Sequence, residues 1–344
     1  AGAALGERVD SLRDATLALE IARELGDRTT ELAALSRYIG VRSETGAATA
    51  ADWADLEQLA AATGDWQRAL AGLTNQGMYL LDDEAAAVFP LTDRAAELAE
   101  ARGLTEDLAW VDYLRTEAAF VMGDWDSALA SGRRALEVGE RNAYHRLVVR
   151  TWHAVVPIAA ARGDRGELAH AAAWYAAREG HFPDSPYGRL MRGAVDIRLA
   201  AAGLAPPPAL SAERLAASFS DPSGPSYLDA VITVVGAWIE AGALGAARET
   251  LASLDAAVAV ATTRSRLAQA SVALLRAWVL HAAGAPRDEV ADTARTGLDL
   301  SRRSAAPWWV LRSLRVLAAA GAATASEVAE ARSIERSLRI VDPG

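Results

Sequence analysis

The chain has 344 residues, of which 81 are alanine, close to one in four; 51% of its residues are hydrophobic but only 6% are aromatic. All 35 basic residues are arginine and there is no cysteine, which excludes lysine-dependent phosphate loops, Schiff-base chemistry, disulfides, thiol catalysis and cysteine–zinc sites. A net charge of −10 and a pI near 5.1 argue against a dedicated nucleic-acid or anionic-membrane binder.

Alanine is the strongest helix former and a poor strand former, so an all-α protein is expected. The first element is a leading helix over residues 5–25. The first six residues lack a charged stretch followed by an apolar one, so no signal peptide is expected there. The absent initiator methionine points to a fragment or a processed chain. Beyond the leading helix, breaks at Gly46, Asp83, Gly123, Gly163, Gly203, Gly242, Gly284 and Gly321 are spaced by 37, 40, 40, 40, 39, 42 and 37 residues. A second set falls between them, at Gly26-Asp27, Gly64-Asp65, Gly103, residues 139–142, 180–186, 221–225, Thr262-Thr263 and residues 304–307. Each interval holds about 13 to 20 residues with apolar positions at helical spacing.

The unit is therefore a helix hairpin of about 40 residues, and such a period marks an α-solenoid. About eight hairpins are expected in a single domain over 1–344: a leading helix (1–26), repeats one to seven (27–306) and a terminal repeat or cap (307–344). Glycine relieves the left-handed residue that ends a helix, and the aspartate after it caps the next one. Pro186, Pro225, Pro286 and Pro307 fall near helix starts, where a missing amide hydrogen costs little. Pro206-Pro207-Pro208 makes the fifth turn stiff, whereas Pro90 and Pro157 fall inside predicted helices and should kink them. Alanine then marks the seams, because stacked helices approach closely only where side chains are small. The longest apolar run, residues 230–239, is about half of the roughly 20 residues a membrane span needs.

Gly123-Asp124-Trp125-Asp126-Ser127-Ala128-Leu129 followed by Ala135 resembles the tetratricopeptide motif, with Ala128 and Ala135 at both of its alanine positions. Gly64-Asp65-Trp66-Gln67-Arg68-Ala69-Leu70 shows the same turn. Gly163-Asp164 keeps it but has Leu168 where the alanine belongs. The unit is nearer 40 residues than the motif's 34. Residues 18–27 and 96–104 are similar to the helical-repeat regions of large actinobacterial regulators of the MalT and LuxR type. In that family a nucleotide-binding module precedes the repeats and a helix-turn-helix domain follows them; neither is present in this chain. The resemblance implies a right-handed superhelix and a cytoplasmic, non-enzymatic role in sensing a small molecule or a protein or peptide partner. It implies no cofactor, and no direct contact with nucleic acid or membrane. A pure protein scaffold is the alternative, and an all-α enzyme a further one.

In tetratricopeptide arrays the first helix of each pair lines the concave groove. Counting back from the turn glycines places Trp110, Tyr113, Glu117 and Phe120 on that side of repeat three, Arg150 and His153 in repeat four, and Tyr79 in repeat two. Aromatic rings beside an arginine and a carboxylate suit an amphipathic ligand. Alternatively, the rings fill gaps between alanine-rich helices. Arg133, Arg134, Arg141, Arg146 and Arg150 form a basic concentration, with Arg146 and Arg150 on one face. They are either an anion patch or partners of Glu137 and Glu140. The five histidines show no zinc-binding spacing. Asp82-Asp83-Glu84 caps the helix that follows or, less simply, begins a magnesium–diphosphate motif. Trp308-Trp309, with Arg312 and Arg315, point about 100° apart, so at least one ring is expected at the surface, either in an end cap or where a further domain packs.

Overall fold

Helix after helix in the computed structural model begins on a capping side chain and stops on a left-handed residue. The structure describes residues 2–44, 47–104, 106–178, 186–208, 224–260 and 265–341. Nine of the turn glycines, from Gly26 to Gly321, have φ between 64° and 78°. At Gly64-Asp65 the glycine closes one helix through Ala60 and Ala61, and the aspartate accepts from the Arg68 amide at 3.0 Å. Gly123-Asp124 repeats the arrangement on the Ser127 amide. The predicted breaks at Gly46, residues 180–185, residues 221–223 and Thr262-Thr263 lie outside the described residues.

The described elements are α1 (Gly2–Leu25), α2 (Arg28–Glu44), α3 (Ala50–Thr63), α4 (Trp66–Leu80), α5 (Val88–Arg102), α6 (Leu108–Met122), α7 (Trp125–Arg141) and α8 (His145–Ala161). There follow α9 (Arg165–Ala176), α10 (Pro186–Ala201), α11 (Pro225–Glu240), α12 (Leu244–Val260), α13 (Arg266–Ala282), α14 (Arg287–Arg303), α15 (Pro307–Ala319) and α16 (Ala325–Leu338). A short 3₁₀ turn, Ala85–Ala87, precedes α5. The protein is all-α, with no strand among the described residues, and successive helices pack on one another. No described helix is long and apolar enough to cross a membrane.

Several local expectations need correction. Gly139 is not a break but lies inside α7, where a Cβ would sit 2.7 Å from Val148 Cγ2; the turn comes at Ala143, with φ of 56°. Close packing of α7 on α8 explains this glycine. Pro90 is the third residue of α5, where its missing amide hydrogen breaks no helical bond, so it has no reason to kink the helix. Pro157 does lie inside α8, which runs through it. Asp82 and Asp83 do not cap the next helix. Asp83 instead accepts from the Arg266 amide at 2.6 Å, and Asp82 faces the Gly224 amide at 3.5 Å.

Those two aspartates belong to a larger pattern: the C-terminal helices fold back onto the middle of the chain. Helices α11 and α15 touch α6, and α11 also touches α8. Arg162 Nε donates to the Leu338 carbonyl at 2.9 Å, and the Val341 amide donates to the Ala161 carbonyl at 3.0 Å. Arg339 pairs with Asp126 at 3.0 Å across 213 residues of sequence. One continuous apolar core runs from α6 to α16, while α1 to α5 hold smaller separate clusters. The tryptophans Trp125, Trp152 and Trp309 are the largest side chains fully enclosed in that core.

Candidate functional site

The inner face of α6 and α8, expected to line an open groove, is covered by the chain's own α11 and α15. The eight residues predicted to form a site therefore separate into four groups. Phe120 is a core residue, 5.6 Å from the Trp309 ring and 6.4 Å from that of Trp125. Tyr79, on α4, stands apart and bonds Ser43 on α2 at 3.3 Å. Trp110, Tyr113, Arg146 and Arg150 do come together: with Met78 and Asn75 they line a cavity of about 210 Å³. Trp110 meets Tyr113 edge to face at 6.0 Å. Arg146 is exposed and Arg150 half-buried. Of the remaining basic cluster, Arg133 pairs with Glu167, Arg134 with Asp112 and Arg141 with Glu137, which is charge balancing.

Glu117 and His153 lie deeper. Glu117 is buried on α6 and accepts from Ser226 on α11 twice, from Oγ at 2.6 Å and from the amide at 3.2 Å. Burial pushes its carboxyl up to about 7, against the pull of Ser226, Tyr113 and Arg150. His153 is buried, and neither ring nitrogen finds a partner among the described residues. Burial, with Arg150 and Arg198 nearby, pushes it down to about 3, so it is neutral. The two groups act on stability in opposite senses. Glu117, raised from an ordinary value of 4.5, favours the fold fully below pH 4.5 and loses that contribution as pH rises through about 7. His153, lowered from 6.5, favours the fold fully above pH 6.5 and loses that contribution as pH falls toward about 3. Between pH 4.5 and 6.5 they offset each other. Glu117→Gln removes one side of this balance, and its melting temperature is expected to fall more steeply than that of the parent chain as pH is lowered from 6.5 to 4.5. Thermal denaturation of both chains across that range checks it.

A second cavity, of about 450 Å³, lies elsewhere, between α10, α11, α13 and α15. Its floor is ionic. Asp229 on α11 is wholly buried and accepts from Arg198 Nη2 at 2.5 Å, from Arg312 Nη2 at 3.1 Å and from Trp308 Nε1 at 2.9 Å. Burial pushes the Asp229 carboxyl up, but the two guanidiniums and the indole outweigh it and hold it below the ordinary value. Thr233, one turn further along α11, accepts from Arg198 and donates back to the Asp229 carbonyl at 2.8 Å. Arg312 lies over the Trp308 ring, 4.6 Å from its centre. Burial lowers Arg312 to about 10, with Asp229 opposing, so it remains charged at neutral pH.

The walls are apolar: Ile232, Leu274, Val316 and the Trp278 ring. Gly236 makes room for that ring, since a Cβ there would stand 2.5 Å from Trp278 Cη2. Gly236→Ala is therefore expected to push Trp278 into the pocket and to destabilise the chain by about 1–3 kcal/mol, the usual range for overpacking. Denaturant unfolding, with the near-ultraviolet signal of the indoles, checks both effects.

Neither Trp308 nor Trp309 is at the surface; they are 6% and 0% exposed. Trp308 points to Asp229, while Trp309 donates to Ser271 on α13 at 3.1 Å. Sequence reasoning singled out Trp308, Arg312 and Arg315 but placed them in an end cap or where a further domain packs. It missed Arg198 and Asp229, which lie 31 residues apart and are joined only by the fold. An aspartate amid the apolar run of residues 226–239 was the available signal. No group of side chains suited to a metal ion is found among the described residues. No protein-family profile matches this chain, and no curated protein is detectably similar to it.

Proposed function

We propose that the chain is a non-enzymatic, ligand-sensing helical-repeat module, with its small-molecule site in the pocket between α10, α11, α13 and α15. The observation that carries this reading is the combination of a preformed, largely apolar space with a few buried, fixed polar groups at one end, the usual build of a small-molecule site. The hairpin period and the Gly123 motif support about eight tetratricopeptide-like repeats wound as a right-handed superhelix. The likeness of residues 18–27 and 96–104 to repeat regions of MalT- and LuxR-type regulators supports a cytoplasmic sensor role beside other modules. Because the pocket is walled by helices from successive hairpins, a ligand that draws them together would change how the array stacks, and so what its ends present.

Thermal-shift screening of the full chain against metabolites tests this reading. The expected result is a stabilising compound whose effect is lost in Trp278→Ala and kept in Trp110→Ala. Loss in Trp110→Ala alone would move the site to the smaller cavity at Arg146 and Arg150. No stabilising compound, or one indifferent to both substitutions, would remove the small-molecule reading. One observation favours a protein-binding role besides: Leu17, Ile21 and Leu25 on α1, four residues apart, are 54%, 47% and 71% exposed.

A further inference from the structure

The floor of the pocket carries an unbalanced charge. Two guanidiniums, Arg198 and Arg312, share the single carboxylate of Asp229, and all three are withdrawn from water, with side-chain exposures of 10%, 17% and 0%. Among the described residues one positive charge is left uncompensated at the bottom of an apolar space. The other charged lining residues do not cancel it: Arg315 is engaged with Glu335 at 3.0 Å, and Glu240 is exposed, at the end of α11. The Arg312 guanidinium is also short of partners, since its Nη1 is buried with none among the described residues. A buried, incompletely paired guanidinium is costly. An anion beside it supplies the missing charge and an acceptor together, and arginine fits the planar, two-oxygen geometry of a carboxylate.

Above this floor the space is bounded by Trp278, Trp308 and aliphatic side chains, which favour a flat or branched apolar body. Trp308 has a double part: its indole N–H helps to hold Asp229, while its ring lies under Arg312. The carboxylate of Asp229 fixes both arginines from behind, so their orientation is set before a ligand arrives. Asp229 also repels a second anion, which limits the site to a single acidic group.

We propose that this pocket selects organic monoanions, with one carboxylate seated against Arg312 and Arg198 and an aromatic or branched apolar body between Trp278 and Trp308. The inference rests on the reading of this pocket as the ligand site, and the test separates the two. Isothermal calorimetry on the full chain would compare three probes of matched shape: naphthylacetate, naphthylacetamide and naphthylethylamine. A hydrogen-bonded charge is worth about 1.5–3 kcal/mol, so naphthylacetate should bind roughly tenfold to a hundredfold tighter than the neutral amide. The amine should not bind. Arg312→Gln should bring the acid down to the level of the amide, and Trp278→Ala should weaken both. Should Arg312→Gln fail to fold, the comparison of the three probes on the parent chain still decides the matter. Equal binding of acid and amide, or preference for the amine, with sensitivity to Trp278→Ala, would overturn the anion selectivity and leave the ligand site standing. Binding of none of the probes, or binding indifferent to Trp278→Ala, would overturn the inference together with the assignment of the site.

Discussion

Asp229→Ala is expected to destabilise the C-terminal half of the chain by about 3–5 kcal/mol, the range found when one partner of a buried ion pair is removed. The reason is what the substitution leaves behind. Arg198 and Arg312 would face each other with no carboxylate between them, and the Trp308 indole would lose its acceptor. Asp229→Asn keeps an oxygen for part of these bonds and should fall between the parent chain and the alanine variant. An exposed pair provides the contrast: removing Glu137, 70% exposed and paired with an Arg141 that is 66% exposed, should cost less than about 1 kcal/mol. Urea unfolding followed by circular dichroism distinguishes these outcomes. Because repeat arrays need not unfold in one step, the Asp229→Ala loss should appear as an earlier partial transition and not as a uniform shift. A loss of less than about 1 kcal/mol would mean that the arginines find other partners or water, and the argument for an unsatisfied cationic floor would fail with it.

Trp309→Ala is the second large effect, at about 3–5 kcal/mol. This ring is fully buried, packs edge to face on Phe120 of α6 and donates to Ser271 of α13. It thus joins the middle of the chain to its C-terminal helices. Its loss leaves a cavity in the largest core and removes the donor to Ser271, whose hydroxyl keeps its own bond to the Leu267 carbonyl at 2.9 Å. Trp309→Phe restores most of the volume but not the hydrogen bond, so it should recover the greater part of the stability. Calorimetric or denaturant unfolding of the pair separates packing from hydrogen bonding.

Local structure was legible in the sequence because it is decided locally. A glycine followed by aspartate ends one helix and caps the next whatever surrounds it, so the turns at Gly64 and Gly123 fall where the sequence places them. Gly139 misleads for a tertiary reason, as it is small to admit Val148 and not to turn the chain. The cluster of Trp110, Tyr113 and Arg150 was legible from helical spacing on α6 and α8. What covers that face was not. The spacing puts Phe120 and Glu117 on one side of α6, but only the fold shows that Trp309 and Ser226 meet them there. The larger pocket escaped for the same reason. Its two arginines and one aspartate come from three helices, and no periodicity connects them.

The chain turns back on itself, so that its inner face encloses polar groups and a pocket instead of lining an open groove. The absence of cysteine makes this directly measurable, since two introduced cysteines take spin labels with no background. Asp126 and Arg339 are the best positions, being exposed, 213 residues apart in sequence and in contact through an ion pair at 3.0 Å. Electron–electron distance measurement on the labelled Asp126→Cys, Arg339→Cys chain should give a single short, narrow distribution. A long or broad distribution, in a chain with the helix content of the parent, would contradict the closed arrangement.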